Sequence, residues 1–225
     1  MVEGKAIYHE PTEGSWEIHS PDSDRITFLS NRPISAMPQD EARGFVSKEG
    51  FRPATTLECF NLFGDMYGLR DSDSGELIEQ ARQYIQGVMR EGGFGTLTDL
   101  TYTPKGKKDK IVHGFGKTER PIVQEVNLVG QDGRLSDVLS QEASLAWTGK
   151  SPEEAAELLS YINQTPAYLW RLNSEPSRNV ERVARFSADS GRAYLDGDWD
   201  RHDRSSRLGV KFEREASRET TEEIK

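Results

Sequence analysis

Cysteine is almost missing: Cys59 is the only one in 225 residues. A single thiol excludes an intrachain disulfide framework and any multi-cysteine metal centre. It lies in the apolar run Leu57-Glu58-Cys59-Phe60 and reads as a core thiol rather than a nucleophile. No apolar run approaches the roughly 18–20 residues that a membrane-spanning helix needs, so no membrane partner is expected. The opening Met1-Val2-Glu3-Gly4-Lys5 has no apolar signal-peptide stretch, and a cytoplasmic chain is the expectation. The four histidines, His9, His19, His113 and His202, are scattered. None has the H-x3-H or H-E-x-x-H spacing of a zinc site. G-x-S-x-G, the signature of a nucleophile elbow, is absent. No internal repeat, long linker or low-complexity block appears.

Hydrophobic residues make up 34% of the chain and charged residues 30%. So little apolar content implies many loops and much exposed surface. Lys and Arg total 29 against 38 Asp and Glu, a net charge of -9, which opposes whole-surface attraction to nucleic acid or anionic lipid. The acidic excess sits in residues 1–170, because the segment from Arg171 onward is balanced and holds ten of the arginines. Five lysines cluster between Lys105 and Lys117. These two stretches are the only local basic features.

Periodicity predicts an α+β fold. Ala6–His9, Trp16–His19 and Ile26–Leu29, separated by Pro, Gly and Asp, suggest an N-terminal β-meander. A short helix fits Leu57–Met66, with Gly68 as its stop. From Asp73, Leu77, Ile78, Ala81, Tyr84, Ile85, Val88 and Met89 recur at helical spacing until Gly92-Gly93, giving one amphipathic helix. Residues 96–129 read as a central antiparallel hairpin sheet. Residues 135–186 read as a helical segment. Within it, Ser151-Pro152-Glu153-Glu154 is a strong helix start, and further starts are expected at Thr165-Pro166 and Ser174-Glu175-Pro176. A C-terminal hairpin, Ala184–Ser187 with Arg192–Leu195, and a strand at Leu208–Phe212 follow. The expected division is a β-rich lobe with one long helix over 1–133, a helical segment followed by a β-hairpin over 134–212, and a flexible charged tail over 213–225.

Four constellations could carry chemistry. Gly114-Phe115-Gly116-Lys117-Thr118 ends like a phosphate loop, but Ile111 stands where the first glycine belongs and a strand follows where a helix should. Asp196, Asp198, Asp200 and Asp203 have the oxygen-rich spacing of a divalent-cation loop, yet Arg201 and Arg207 occupy positions that a hand-type calcium loop gives to Gly and Glu. A solvated acidic hairpin loop is the simpler reading. Lys105, Lys107, Lys108, Lys110 and Lys117 could reach phosphates from a hairpin, or serve only to protect a sheet edge. Arg178, Arg182 and Arg185 would share one helical face, with Glu181 placed to pair with them. Trp147, Trp170 and Trp199 read as core or interface aromatics.

No reaction centre emerges. The leading expectation is a non-catalytic binding or assembly protein, a component of a larger complex formed with a protein partner or with itself, since Arg and aromatics are enriched in interface cores. The alternatives are a nucleic-acid-associated protein using the Lys hairpin and the Arg face, and a divalent-metal enzyme using Asp196–Asp203. No cofactor is expected beyond that possible cation.

Overall fold

The computed structural model describes residues 14–114 and 120–214. The elements are β1 (Ser15–His19), β2 (Arg25–Ser30), β3 (Ile34–Met37), α1 (Gln39–Ala42), β4 (Arg52–Pro53), α2 (Thr56–Leu69), α3 (Gly75–Arg90), β5 (Phe94–Tyr102), β6 (Asp109–His113), β7 (Ile122–Val126), β8 (Gly133–Arg134), α4 (Leu135–Val138), α5 (Gln141–Thr148), α6 (Pro152–Asn163), β9 (Ala167–Trp170), β10 (Val180–Ala188), β11 (Ala193–Asp200), β12 (Ser205–Arg207) and β13 (Gly209–Arg214). The fold is α+β. A small sheet runs β1-β2-β13-β4, and a nine-stranded sheet contains the path β3-β12-β5-β10-β11-β9-β8 with β6 on β5 and β7 on β6. All pairs are antiparallel except β9–β11 and β5–β12.

Every helix but α1 lies against one face of the large sheet, while α1 packs its Ala42 with Ile34, Met37 and Leu97 in a separate cluster. Phe60 and Phe63 of α2 meet each other and Phe186 of β10, which in turn meets Phe94 of β5, with ring centroids 5.2–5.8 Å apart. Leu169, Leu195, Ala167 and Ala193 point the same way and are buried with Leu158, Leu159 and Ile162 of α6. Each buried Leu, Ile or Phe of this set stabilises by roughly 1.5–3 kcal/mol.

Local chemistry starts and ends the helices. Thr55 and Glu58 form a reciprocal capping box on α2, and Arg52 grips the same Glu58 carboxylate. Ser151 accepts from the Glu154 N–H at the start of α6, where Pro152 fills the first turn. The far end of α6 is tied to α3. Arg82, Gln86 and Arg90, spaced four apart on one face, donate to the carbonyls of Ile162 and Asn163 at 2.7, 2.6 and 3.2 Å. Cations at a helix C-terminus also complement its dipole.

Two expected helices are strands. The segment after Thr165-Pro166 is β9, and the segment after Ser174-Glu175-Pro176 runs through a loop into β10. The apolar residues there alternate in twos: Ala167 and Leu169 are buried while Tyr168 and Trp170 are not. Pairing along β10 and β11 uses that period. Other differences are smaller. α2 extends past Gly68 to Leu69, and α3 starts after Ser74 with no side-chain cap rather than at Asp73. Gly75 is needed there, because a Cβ would sit 2.6 Å from the Arg70 carbonyl oxygen. The last strand of the central sheet stops at Val126, short of the expected end at residue 129. β13 runs to Arg214, so it includes the first two residues of the expected tail. The remainder of that tail and the expected strand Ala6–His9 fall outside the described residues.

Two buried polar residues fasten the middle of the chain. Asp109 accepts from the backbone N–H of Thr103 and of Leu128, both at 2.7 Å, which joins the β5–β6 turn to the segment after β7. His113 is fully buried between Thr98 Oγ1 and the Ala146 carbonyl, each at 2.9 Å from a ring nitrogen. Its Nε2–H donates to the carbonyl, so Nδ1 accepts from Thr98, and the ring is neutral. Burial lowers its pKa.

Asp109→Ala leaves two buried N–H groups unpaired, and we expect a loss of about 2–4 kcal/mol in urea unfolding. For His113 the folded pKa lies below the unfolded value, so the unfolded chain binds the extra proton first. Stability from this site is full above about pH 6.5 and falls as pH drops below it. Melting temperature recorded against pH shows this as a decline that His113→Gln flattens.

Candidate functional site

The structure separates the predicted basic residues. Lys105 and Lys107 sit in the exposed β5–β6 turn and make no ion pair among the described residues. Lys108 pairs with Glu142 of α5 at 2.8 Å, and Lys110 lies 3.7 Å from Glu125 across the β6–β7 pair. Lys117, with the rest of the glycine-rich turn after Gly114, lies outside the described residues. Arg178 is exposed in the loop before β10, while Arg182 and Arg185 lie on β10 itself. No helix aligns the three. Arg182 Nε is 2.7 Å from Asp198, and the Arg185 guanidinium lies 3.7 Å from the Trp199 ring centroid.

The aspartates do not converge either. Asp196, Asp198 and Asp200 lie on β11, and Asp203 lies in the turn beyond it. Asp198 is taken by Arg182. Asp196 accepts from the Asp198 N–H, and Asp200 from the His202 N–H, both at 2.9 Å. Burial raises the Asp196 pKa. The Asp-Gly-Asp spacing has a packing reason: a Cβ at Gly197 would fall 2.5 Å from the buried Trp147 ring. The Gly197 carbonyl also accepts from Tyr102 Oη at 2.9 Å. Among the described residues no group of three or more His, Cys, Asp or Glu side chains could hold a metal ion.

What the structure does assemble is a surface on the other side of the large sheet. The residues that alternate with the buried Leu169, Leu195 and Phe186 point away from the helices. One row crosses four strands as Ser187, Tyr194, Tyr168 and Arg134. The neighbouring row is Arg185, Asp196 and Trp170. Trp170 is 53% exposed. Tyr194 stands between the other two rings, with centroids 6.3 Å from Tyr168 and 6.4 Å from Trp170. Arg192 covers Tyr168 at 4.5 Å, as Arg185 covers Trp199. Asp189, in the β10–β11 turn, accepts from Tyr194 Oη at 3.0 Å. The result is an aromatic cluster, Trp170 exposed and the two tyrosines half-buried, braced by arginines and interleaved with aspartates.

Further along the sheet lies a cleft of about 460 Å³. Leu97, Leu100, Val112 and Pro121 supply apolar lining, and Arg43, Asp99, Glu181, Arg182 and Arg201 the polar groups. Those charges already pair: Arg43 meets Asp40 and Asp99, and Arg201 bridges Asp40 and Glu181. Sequence reasoning missed the aromatic surface, because Tyr168 and Trp170 were assigned to a helix. The one signal is that the aliphatic Ala167 and Leu169 alternate with the aromatic Tyr168 and Trp170.

Comparison of the chain with protein-family models, curated proteins and solved structures finds no match.

The two tryptophans give a direct check on this geometry. Trp147 is fully buried, and Trp147→Ala is expected to cost about 3–5 kcal/mol. Trp170→Ala, at an exposed position, is expected to stay within about 0.5 kcal/mol of wild type. Equal losses in chemical denaturation would contradict the placement.

Proposed function

We propose that this protein acts by binding, as a non-catalytic component of a larger assembly, and that the aromatic–arginine face of the large sheet is its contact surface. The observation that carries the reading is the cluster of exposed Trp170 with half-buried Tyr168 and Tyr194, and with Arg192, Arg185 and Arg134 around it. Trp, Tyr and Arg are the side chains that dominate protein–protein binding energy. Their enrichment at interface cores, with Lys depleted, matches this face, which has no lysine among the residues named. Three arginines and the aspartates Asp189 and Asp196 leave the patch near neutrality, which suits a protein partner better than a polyanion. The Lys hairpin gives less support to nucleic acid, since Lys108 and Lys110 already face Glu142 and Glu125.

The test is the size of the native assembly. Tagged full-length chain is purified from its source cells under mild conditions and sized by light scattering, alongside Trp170→Ala/Tyr194→Ala. The wild type is expected in an assembly larger than the free chain, and the variant as the free chain with an unchanged circular dichroism spectrum. Assemblies of equal size would sink the reading, as would measured turnover abolished by changes elsewhere in the molecule.

A further inference from the structure

We propose that the occupant of the aromatic–arginine face is a second copy of this chain, docked sheet to sheet about a two-fold axis that crosses the strands at Tyr194. This rests on the reading of the face as a protein contact surface and names the partner. The argument is the order of charges along two adjacent strands. From the residue before β11 into that strand, the side chains run Arg192, Tyr194, Asp196: a cation, an aromatic ring, an anion. Along β10 and into the turn after it, the side chains run Arg185, Ser187, Asp189 in the matching order. The register is fixed, because Arg185 lies opposite Asp196, Ser187 lies opposite Tyr194, and the Asp189 N–H donates to the Arg192 carbonyl at 3.0 Å.

A two-fold contact requires that if residue i meets residue j, then j meets i. An axis across the Ser187–Tyr194–Tyr168 row satisfies this twice. It sets Arg192 over the partner's Asp196 and Arg185 over the partner's Asp189. With the symmetry mates, that makes four Arg–Asp pairs around a centre where Tyr194 meets the partner's Tyr194. On β9 the exposed Trp170 comes over the partner's Pro166, whose carbonyl accepts the Ala193 N–H and so marks the row of Arg192. Sheets packed face to face lie about 10 Å apart, which these side chains span. Arg134 meets its own counterpart, but on β8, the last strand of the path, where both can turn to solvent. An unrelated partner would not require the pattern Arg-x-aromatic-x-Asp to read as its own complement when reversed.

Sedimentation velocity on the untagged full chain, from about 1 to about 100 µM, reads the association. The expected result is a reversible dimer. Arg192→Asp alone and Asp196→Arg alone should each weaken it at least about tenfold by placing like charges opposite each other. An equimolar mixture of those two variants should recover a heterodimer within about threefold of wild type, since each then offers the charge the other lacks. If Asp196→Arg does not fold, Arg192→Asp and Trp170→Ala, both at exposed positions, carry the test by the same weakening. A wild type that stays monomeric at about 100 µM overturns the proposal. So does a dimer untouched by every face variant, or a mixture of folded variants that does not recover. If the wild type is monomeric while Trp170→Ala/Tyr194→Ala still breaks up the native assembly, the second copy is wrong and the contact surface stands. If no face variant alters any association, both fail.

Discussion

A sheet has two faces, and in this chain every helix but the four-residue α1 covers the same one. Strand side chains alternate between faces, so each strand under the helices delivers its other side chains outward. On β9, β10 and β11 the inward set is Ala167, Leu169, Ala184, Phe186, Ala193 and Leu195, all buried. The outward set therefore had to be Tyr168, Trp170, Arg185, Tyr194 and Asp196. Burial of the first set determines the presentation of the second, so the core and the candidate contact surface are one decision made by one register. A slip of a single residue would exchange them.

The bulge in β10–β11 refines that arrangement. The register shifts between Val183 and Arg185, at the place where Gly197 lies against Trp147. The shift leaves Asp196 opposite Arg185 and Trp199 opposite Val183, so that the Arg185 guanidinium can lie on the Trp199 ring. The acidic run that resembled a cation loop is thus an ordinary strand with an irregularity. Its carboxylates answer to Arg182 and to nearby backbone N–H groups. The buried titratable groups elsewhere are engaged in the same way: Asp109 holds backbone donors, and His113 bridges a threonine and a carbonyl.

Much of the fold was legible in the sequence because it depends on local chemistry. The α3 stripe, the Ser151-Pro152 start of α6, the central hairpin and the C-terminal hairpin all follow from periodicity and capping. The errors came where two periods compete. Tyr168, Leu169, Trp170 and Leu172 can be read as a helical face. Pairing of β9 with β11, about 25 residues along the chain, and with β8 on its other side commits Ala167–Trp170 to a strand. The candidate surface shares that dependence. Its arginines were visible as a dense stretch, but their grouping with Tyr168, Trp170 and Tyr194 needs three strands side by side.

By itself, then, the amino-acid order determined the composition of this surface, the two segments that each run from an arginine to an aspartate, and the α+β character, because each is a property of neighbours in the chain. The tertiary structure decided which side of the sheet meets the helices, that Arg182 and Arg185 leave the helix expected for them, and that the aspartates separate. Those outcomes depend on which distant strands exchange backbone hydrogen bonds, and no short window of residues contains that information.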